Sequence, residues 1–209
     1  MYSVKEIFYS VQGEGYYSGR PAVFCRFSGC NLWSGREEDR ARAVCSFCDT
    51  DFTRTDGTDG GIYEDAGRLV EKIAASWPHR GNRCFVVCTG GEPLLQIDDV
   101  FIAALHKAGF EVAVETNGTI AAPAGIDWLC VSPKANAKLL QTSGDELKLV
   151  YPQEGGDPSR FEELAFRHFF LQPMDGRDSK EALQSALRYV LGNPRWRLSL
   201  QLHKILNIR

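Results

Sequence analysis

Three cysteines in Gly-, Asn- and Asp-rich loop sequence, Cys30, Cys45 and Cys48, have the side chains and spacing of a metal centre, C-x14-C-x2-C. Thiolates ligate soft metals, and two cysteines three positions apart in a loop can bind adjacent corners of one centre. A cubane [4Fe–4S] cluster held by three thiolates keeps one iron open to a small molecule. A structural zinc ion asks for four protein ligands. The fourth would come from His79, His106, His168, His203 or a distant cysteine, none of which a motif places. The spacing alone leaves iron–sulfur and zinc open, and a loop that binds no metal as well. Cys25, Cys84, Cys88 and Cys130 lie in apolar, strand-like stretches and read as small buried hydrophobes. With no export signal in MYSVKEIFYS, seven cysteines argue against a disulfide framework.

Three further groups could do chemistry. Thr89-Gly90-Gly91-Glu92-Pro93 ends the apolar run CFVVC, and its glycines allow backbone to approach a ligand closely. Gln12 and Glu14 flank Gly13, where their amide and carboxylate could read a hydrogen-bonding edge or serve only a turn. Arg26 stands in an otherwise apolar strand. Its guanidinium fork matches a ligand carboxylate; the alternative is an internal salt bridge to a carboxylate such as Glu14.

These groups need a scaffold, and the chain alternates strand and helix patterns. Residues 4–11, 22–28, 84–88, 110–115, 127–131, 146–151 and 168–172 read as strands. Helical patterns cover 64–77, with Leu69, Val70, Ile73 and Trp77 on one stripe, then about 98–108 and 178–191. Asp178 with Glu181 suggests a capping box for the last of these. A final strand is expected near 196–202, and the helix between 127–131 and 146–151 is missing or stunted. Alternation of this kind predicts a mainly parallel α/β sheet. At 209 residues the chain is one domain and falls short of the roughly 250 of a full eight-unit barrel, so a barrel relative would be truncated. The charged run 34–44 reads as a solvated loop or surface helix inserted between the cysteines. A net charge of −3 offers no electrostatic case for nucleic acid or an anionic membrane. No apolar run spans a bilayer, and a cytoplasmic location is expected.

FSGCNLW (27–33) with CSFCDT (45–50) resembles the cluster loop of the radical S-adenosylmethionine (SAM) superfamily, whose usual pattern is C-x3-C-x-φ-C with φ aromatic. Phe47 matches φ. Ser34 stands where the second cysteine would fall, and an 11-residue insertion delivers Cys45 instead. The GGEP stretch matches the superfamily's second signature. SVQGEG (10–15), ETNGT (115–119), SPK (132–134), LQP (171–173) and LQLHK (200–204) narrow the resemblance to the 7-carboxy-7-deazaguanine synthase family, over about residues 5–208.

The resemblance implies a truncated, partial (β/α) barrel holding a [4Fe–4S] cluster on Cys30, Cys45 and Cys48. It places SAM against Phe47, Thr89, Gly91, Glu92, Glu115, Asn117, Ser132, Lys134 and Gln172. The substrate, 6-carboxy-5,6,7,8-tetrahydropterin, would meet Gln12, Glu14, Arg26, Thr89 and His203, and Thr50 would bind Mg²⁺. The implied reaction is hydrogen abstraction at C6 by a SAM-derived radical, ring contraction and loss of ammonia. It would use a flavodoxin-like electron donor, act catalytically in SAM, serve queuosine and related nucleosides, and run in a homodimer. The rival readings are a glycyl-radical-activating relative and, from another class, a zinc-stabilised binding module.

Overall fold

The aromatic and β-branched run YSVKEIFYSV forms β1 (Tyr2–Val11), which folds back antiparallel on β2 (Pro21–Phe27). The computed structural model describes residues 1–79 and 84–209. The other strands among these are β3 (Gly61–Tyr63), β4 (Cys84–Gly90), β5 (Phe110–Thr116), β6 (Trp128–Val131), β7 (Ser143–Tyr151), β8 (Ala165–Pro173) and β9 (Trp196–Leu198). Their order in the sheet is β3-β1-β2-β4-β5-β6-β7-β8-β9. From β2 onward every neighbouring pair is parallel. The edges β3 and β9 do not pair with each other, so the curved sheet is an open, partial barrel.

Side-chain alternation along each strand divides this sheet into two faces. Val23, Cys25, Val86, Cys88, Val112, Val114, Leu147 and Leu149 point to the outer face. They pack there against α1 (Ala66–Ala75), α2 (Asp99–Lys107) and α3 (Ser179–Gly192). The predicted stripe is real: Leu69 and Ile73 are fully buried, as are Phe101 and Leu105 of α2. Each such burial contributes roughly 1.5–3 kcal/mol. The alternate positions form a second cluster on the inner face, from Phe8, Phe24, Phe85, Val87, Ala113 and Trp128. Farther along β2, β4 and β5, Arg26, Thr89 and Glu115 keep that inward phase, and Lys148 of β7 and Gln172 of β8 join them, so apolar floor gives way to polar wall.

The expected gap is present, with no helix between β6 and β7 among the described residues. β5 and β6 are likewise joined without one, and only a 3-10 turn (Pro158–Phe161) precedes β8. Two expectations are corrected. Asp178 makes no side-chain cap on α3; the aspartates that cap α-helices are Asp65 for α1 and Asp98 for α2, each accepting a backbone N–H at 2.9 Å. The last strand ends at Leu198 rather than near 202, and α4 (Leu202–Leu206) follows. Leu202 N–H turns away from the sheet to donate to Gly13 O at 2.9 Å, which pulls the segment over the mouth of the barrel. The charged run 34–44 is a surface 3-10 turn (Glu37–Arg42) with no buried residue, as its composition suggests.

Candidate active site

One cavity of about 430 Å³ opens at the carboxyl ends of the strands, a size suited to a small ligand. Cys30, Cys45, Phe47, Cys48 and Thr50 line it together with Gln12, Glu14, Arg26 and His203, and Gln201 Nε2 donates to both Glu14 and Asp49, the neighbour of Cys48, at 3.0 and 3.3 Å. Thr89, Gly91, Glu115, Asn117, Ser132, Lys134 and Gln172 also line it. All the residues that the resemblance assigned to the cluster, SAM, Mg²⁺ or substrate line this space except Glu92; His79, His106 and His168 do not. Glu92 is fully buried behind the wall, where Thr116 Oγ1 and the N–H groups of Asn117 and Leu94 donate to its carboxylate at 2.7–3.0 Å. Its geometry is that of a brace for the β5 end.

The insertion closes on itself. Val44 N–H donates to Leu32 O at 3.1 Å and Cys45 N–H at 3.5 Å, so an excursion of eleven residues returns to its point of departure. Cys45 thereby arrives beside the wall that Cys30 occupies. Cys45 and Cys48 share a hydrogen bond that pulls the Cys48 thiol down to about 6, while that bond and burial push Cys45 up. Burial raises Cys30. Gly91 completes this wall: a Cβ there would run into the Gly29 carbonyl and approach Cys30 Cβ to 2.9 Å. Asn31, next to Cys30, is tied by its carbonyl to Asn117 Nδ2 at 3.0 Å.

Three thiols on a common cavity suit a cluster with one uncapped corner. A structural zinc would ask for a fourth protein ligand beside Cys30, Cys45 and Cys48. His203, a candidate fourth zinc ligand, is packed on Gly13, where any Cβ would collide with its ring.

Part of the same lining is a buried charge network. Lys148 Nζ lies 2.5 Å from Glu14 Oε2 and 3.4 Å from Glu115 Oε1. Burial alone would raise the Glu14 carboxyl and lower the Lys148 ammonium. Attraction between the charges, with Glu115 adding to the field at Lys148, overrides it: Glu14 sits below the usual carboxylate range and Lys148 well above that of lysine. Glu115 also accepts from Gln12 Nε2 at 2.9 Å and from Thr89 Oγ1 at 3.4 Å. Although the resemblance assigned Glu115 to SAM, it is bonded to side chains assigned to the pterin. Gln201 Nε2 secures the other oxygen of Glu14 at 3.0 Å.

Arg26 does form a salt bridge, but not to Glu14. Its Nε donates to Glu6 Oε1 at 2.9 Å across the antiparallel β1–β2 pair, where residues 6 and 26 are directly opposite. Lys134 Nζ donates to Ser132 O and Oγ at 2.6 and 2.8 Å, and Gln172 Oε1 accepts from Ser199 Oγ at 3.1 Å. Sequence reading passed over Lys148, Gln201 and Lys204. Lys148 carried a signal: ELKLVY places Glu146 and Lys148 on one face of an apolar strand, the phase of a polar wall. Lys204 Nζ bridges Asp49 and Asp175 at 2.6 Å each, joining α4 to the cysteine loop and to the end of β8.

No family model matches the sequence. Among curated proteins, the 7-carboxy-7-deazaguanine synthase of Caulobacter vibrioides is 61% identical over 207 residues, 99% of each chain. Those of Burkholderia multivorans and Bacteroides thetaiotaomicron are 56% and 46% identical, again over at least 99% of both chains. The crystal structure of QueE from Escherichia coli superposes with a TM-score of 0.73 at 27% identity, covering 96% of this chain and 93% of that one. With identity sustained over full length and the same fold around the cavity, the chain belongs to the 7-carboxy-7-deazaguanine synthase family.

Proposed function

We propose that this chain is the radical SAM lyase that converts 6-carboxy-5,6,7,8-tetrahydropterin to 7-carboxy-7-deazaguanine with loss of ammonia, in the queuosine pathway. The observation that carries it is that three thiols and the Gln12–Glu14–Arg26 set line one and the same cavity. When bound, a [4Fe–4S] cluster on Cys30, Cys45 and Cys48 together with SAM supplies the radical that removes a hydrogen atom from C6 of the pterin.

The protein's own task is positioning. Lys148 holds the Glu14 carboxyl below the usual carboxylate range, and Glu14 and Glu115 offer acceptors to the amino and ring N–H donors of the pterin's guanine-like edge. Gln12 lies on the same side as a neutral donor and acceptor. Arg26, its Nε held by Glu6, turns its terminal nitrogens to the substrate carboxylate. Ser132, Lys134, Asn117 and Gln172 offer donors and acceptors to the polar groups of SAM, and Phe47 offers an aromatic edge to its adenine. Thr50 with the substrate carboxylate is an adequate partial shell for Mg²⁺, which keeps waters and few protein ligands. The phase of the inner face sets these groups on rigid strand ends, which orients C6 and limits competing reactions.

A flavodoxin-like donor, a homodimer and a cytoplasmic setting complete the proposal; among the described residues no helix is long and apolar enough to cross a membrane. Anaerobic reconstitution tests the whole. About four irons per chain, and 7-carboxy-7-deazaguanine formed from the pterin without net consumption of SAM, are the expected results. Colourless protein with one tightly held zinc would refute the cluster and the reaction together.

A further inference from the structure

The charged insertion between Cys30 and Cys45 plays no part in the chemistry above, yet one of its side chains reaches the cysteine loop. Arg40, from the 3-10 turn Glu37–Arg42, donates through Nη1 to Ser46 O at 2.9 Å and to Cys48 O at 3.0 Å. These carbonyls lie within the Cys45–Cys48 loop, one of them on a candidate ligand itself. Two contacts fix the arginine, and a third fixes the indole beneath it. Its Nε donates to Glu37 at 2.8–2.9 Å, its guanidinium lies 4.1 Å from the centre of the Trp33 ring, and that indole donates from Nε1 to Arg36 O at 3.1 Å. Trp33 is nearly buried and meets Phe52 edge to face at 5.7 Å. The insertion thus stands on an aromatic base with its ends joined at Leu32, and it points one fixed donor at the cysteine loop.

We propose that Arg40 is a positioning residue for the cluster loop: it holds the carbonyls of Ser46 and Cys48 and so presets the spacing of Cys45 and Cys48 before iron arrives. A loop with two ligands three residues apart has few backbone bonds of its own to resist collapse. A guanidinium that binds two of its carbonyls while seated on an indole supplies the missing restraint. This rests on the reading of the three cysteines as cluster ligands.

The test compares the parent with R40M, which keeps the apolar stem on Trp33 and removes the donors, and with R40K, which restores a charge and a donor. R42A, on the same turn, serves as the control. In the metal-free protein, R40M is expected to exchange the amides of residues 45–49 for deuterium at least severalfold faster than the parent, with an unchanged melting temperature. After anaerobic reconstitution it should retain less than half the parent's iron, with R40K between the two and R42A like the parent. Parent-like exchange and full iron in R40M would overturn the proposal, as would equal losses in R42A. If R40M melts early, the R40K comparison decides: parent-like exchange in a folded R40K supports a positional role, and faster exchange spread over the whole chain refutes it. Should the parent bind no iron, the cluster reading falls, while the exchange data still report on the loop.

Discussion

Lys148 and Glu14, 134 positions apart in sequence, form an ion pair of 2.5 Å inside the barrel, between the middle of β7 and the turn after β1. Both side chains are largely shielded from water, and Glu115 lies 3.4 Å from the same ammonium. The pair spans the cavity wall and sets its charge.

Removing one partner strands the others. K148M leaves Glu14 and Glu115 facing each other without a counter-charge, a change that costs about 3–5 kcal/mol for a buried pair. The expected result is a clearly lower melting temperature and a pterin affinity reduced at least tenfold. The double variant K148M/E14Q should recover part of the stability. Thermal melts and pterin titration on the three proteins check this.

Arg26 should separate the two ligands. R26A is expected to weaken pterin binding at least tenfold and to leave SAM binding within about twofold, because a lost charged hydrogen bond to a carboxylate is worth roughly 1.5–3 kcal/mol. E6Q, which loosens the Nε anchor together with the 3.6 Å pair between Glu6 and Arg209, should show a smaller effect of the same kind. Equal loss for both ligands in R26A, measured by separate titrations, would remove its assigned role.

Gly91 is needed for space. G91A drives a methyl group into the Gly29 carbonyl beside Cys30. The strands bury their hydrophobic face elsewhere, so the far-ultraviolet circular dichroism should stay native while iron content after reconstitution falls by half or more. Iron assay and spectra on the same sample make the comparison.

At the floor of the barrel, Arg20 grips Glu111 with two hydrogen bonds of 2.9 and 2.6 Å while its guanidinium lies 3.7 Å from the centre of the Phe85 ring. The bond from Arg20, more than anything else, holds the Glu111 carboxyl below its ordinary value. Its ionised form therefore favours the fold. That contribution is complete above the unfolded carboxylate's pKa of about 4.3 and is lost as pH falls through the lower folded value. E111Q should melt earlier than the parent at pH 7, and the gap between them should narrow below about pH 4. Melting curves across that range measure it.

Much of this molecule was legible before any coordinates. The helix stripe Leu69–Val70–Ile73 and the doubly covered strand CFVVC follow from periodicity, which burial enforces. The cysteine loop and GGEP were legible because ligand chemistry restricts residue types at fixed spacing. Partners across the barrel were not. Arg26 found Glu6 rather than Glu14 because strand register decides it, and register depends on a bulge between Val4 and Glu6 that leaves no mark in composition. Glu92 reads as a ligand in its motif, yet lies behind the wall because the chain turns at Pro93 and buries it under β5. The capping of α3 failed for a local reason: Asp178 has φ −103° and ψ 27°, outside the extended geometry that lets a side chain reach back to its helix.

The tie between Gly13 and Leu202 bears on how the molecule comes to be made. Strands β4 to β9 join the sheet in the order in which they are synthesised, each beside its predecessor, so the sheet can grow by short-range steps. The cavity cannot. Gly13 O waits for Leu202 N–H, Glu14 for Gln201 and Gly15 N–H for Ser199, across more than 180 residues of intervening chain. Closure of the site is thus the slow, entropically costly event that follows the rest of the fold. A nascent chain carries its cysteines and its buried glutamates half-open until its final segment docks.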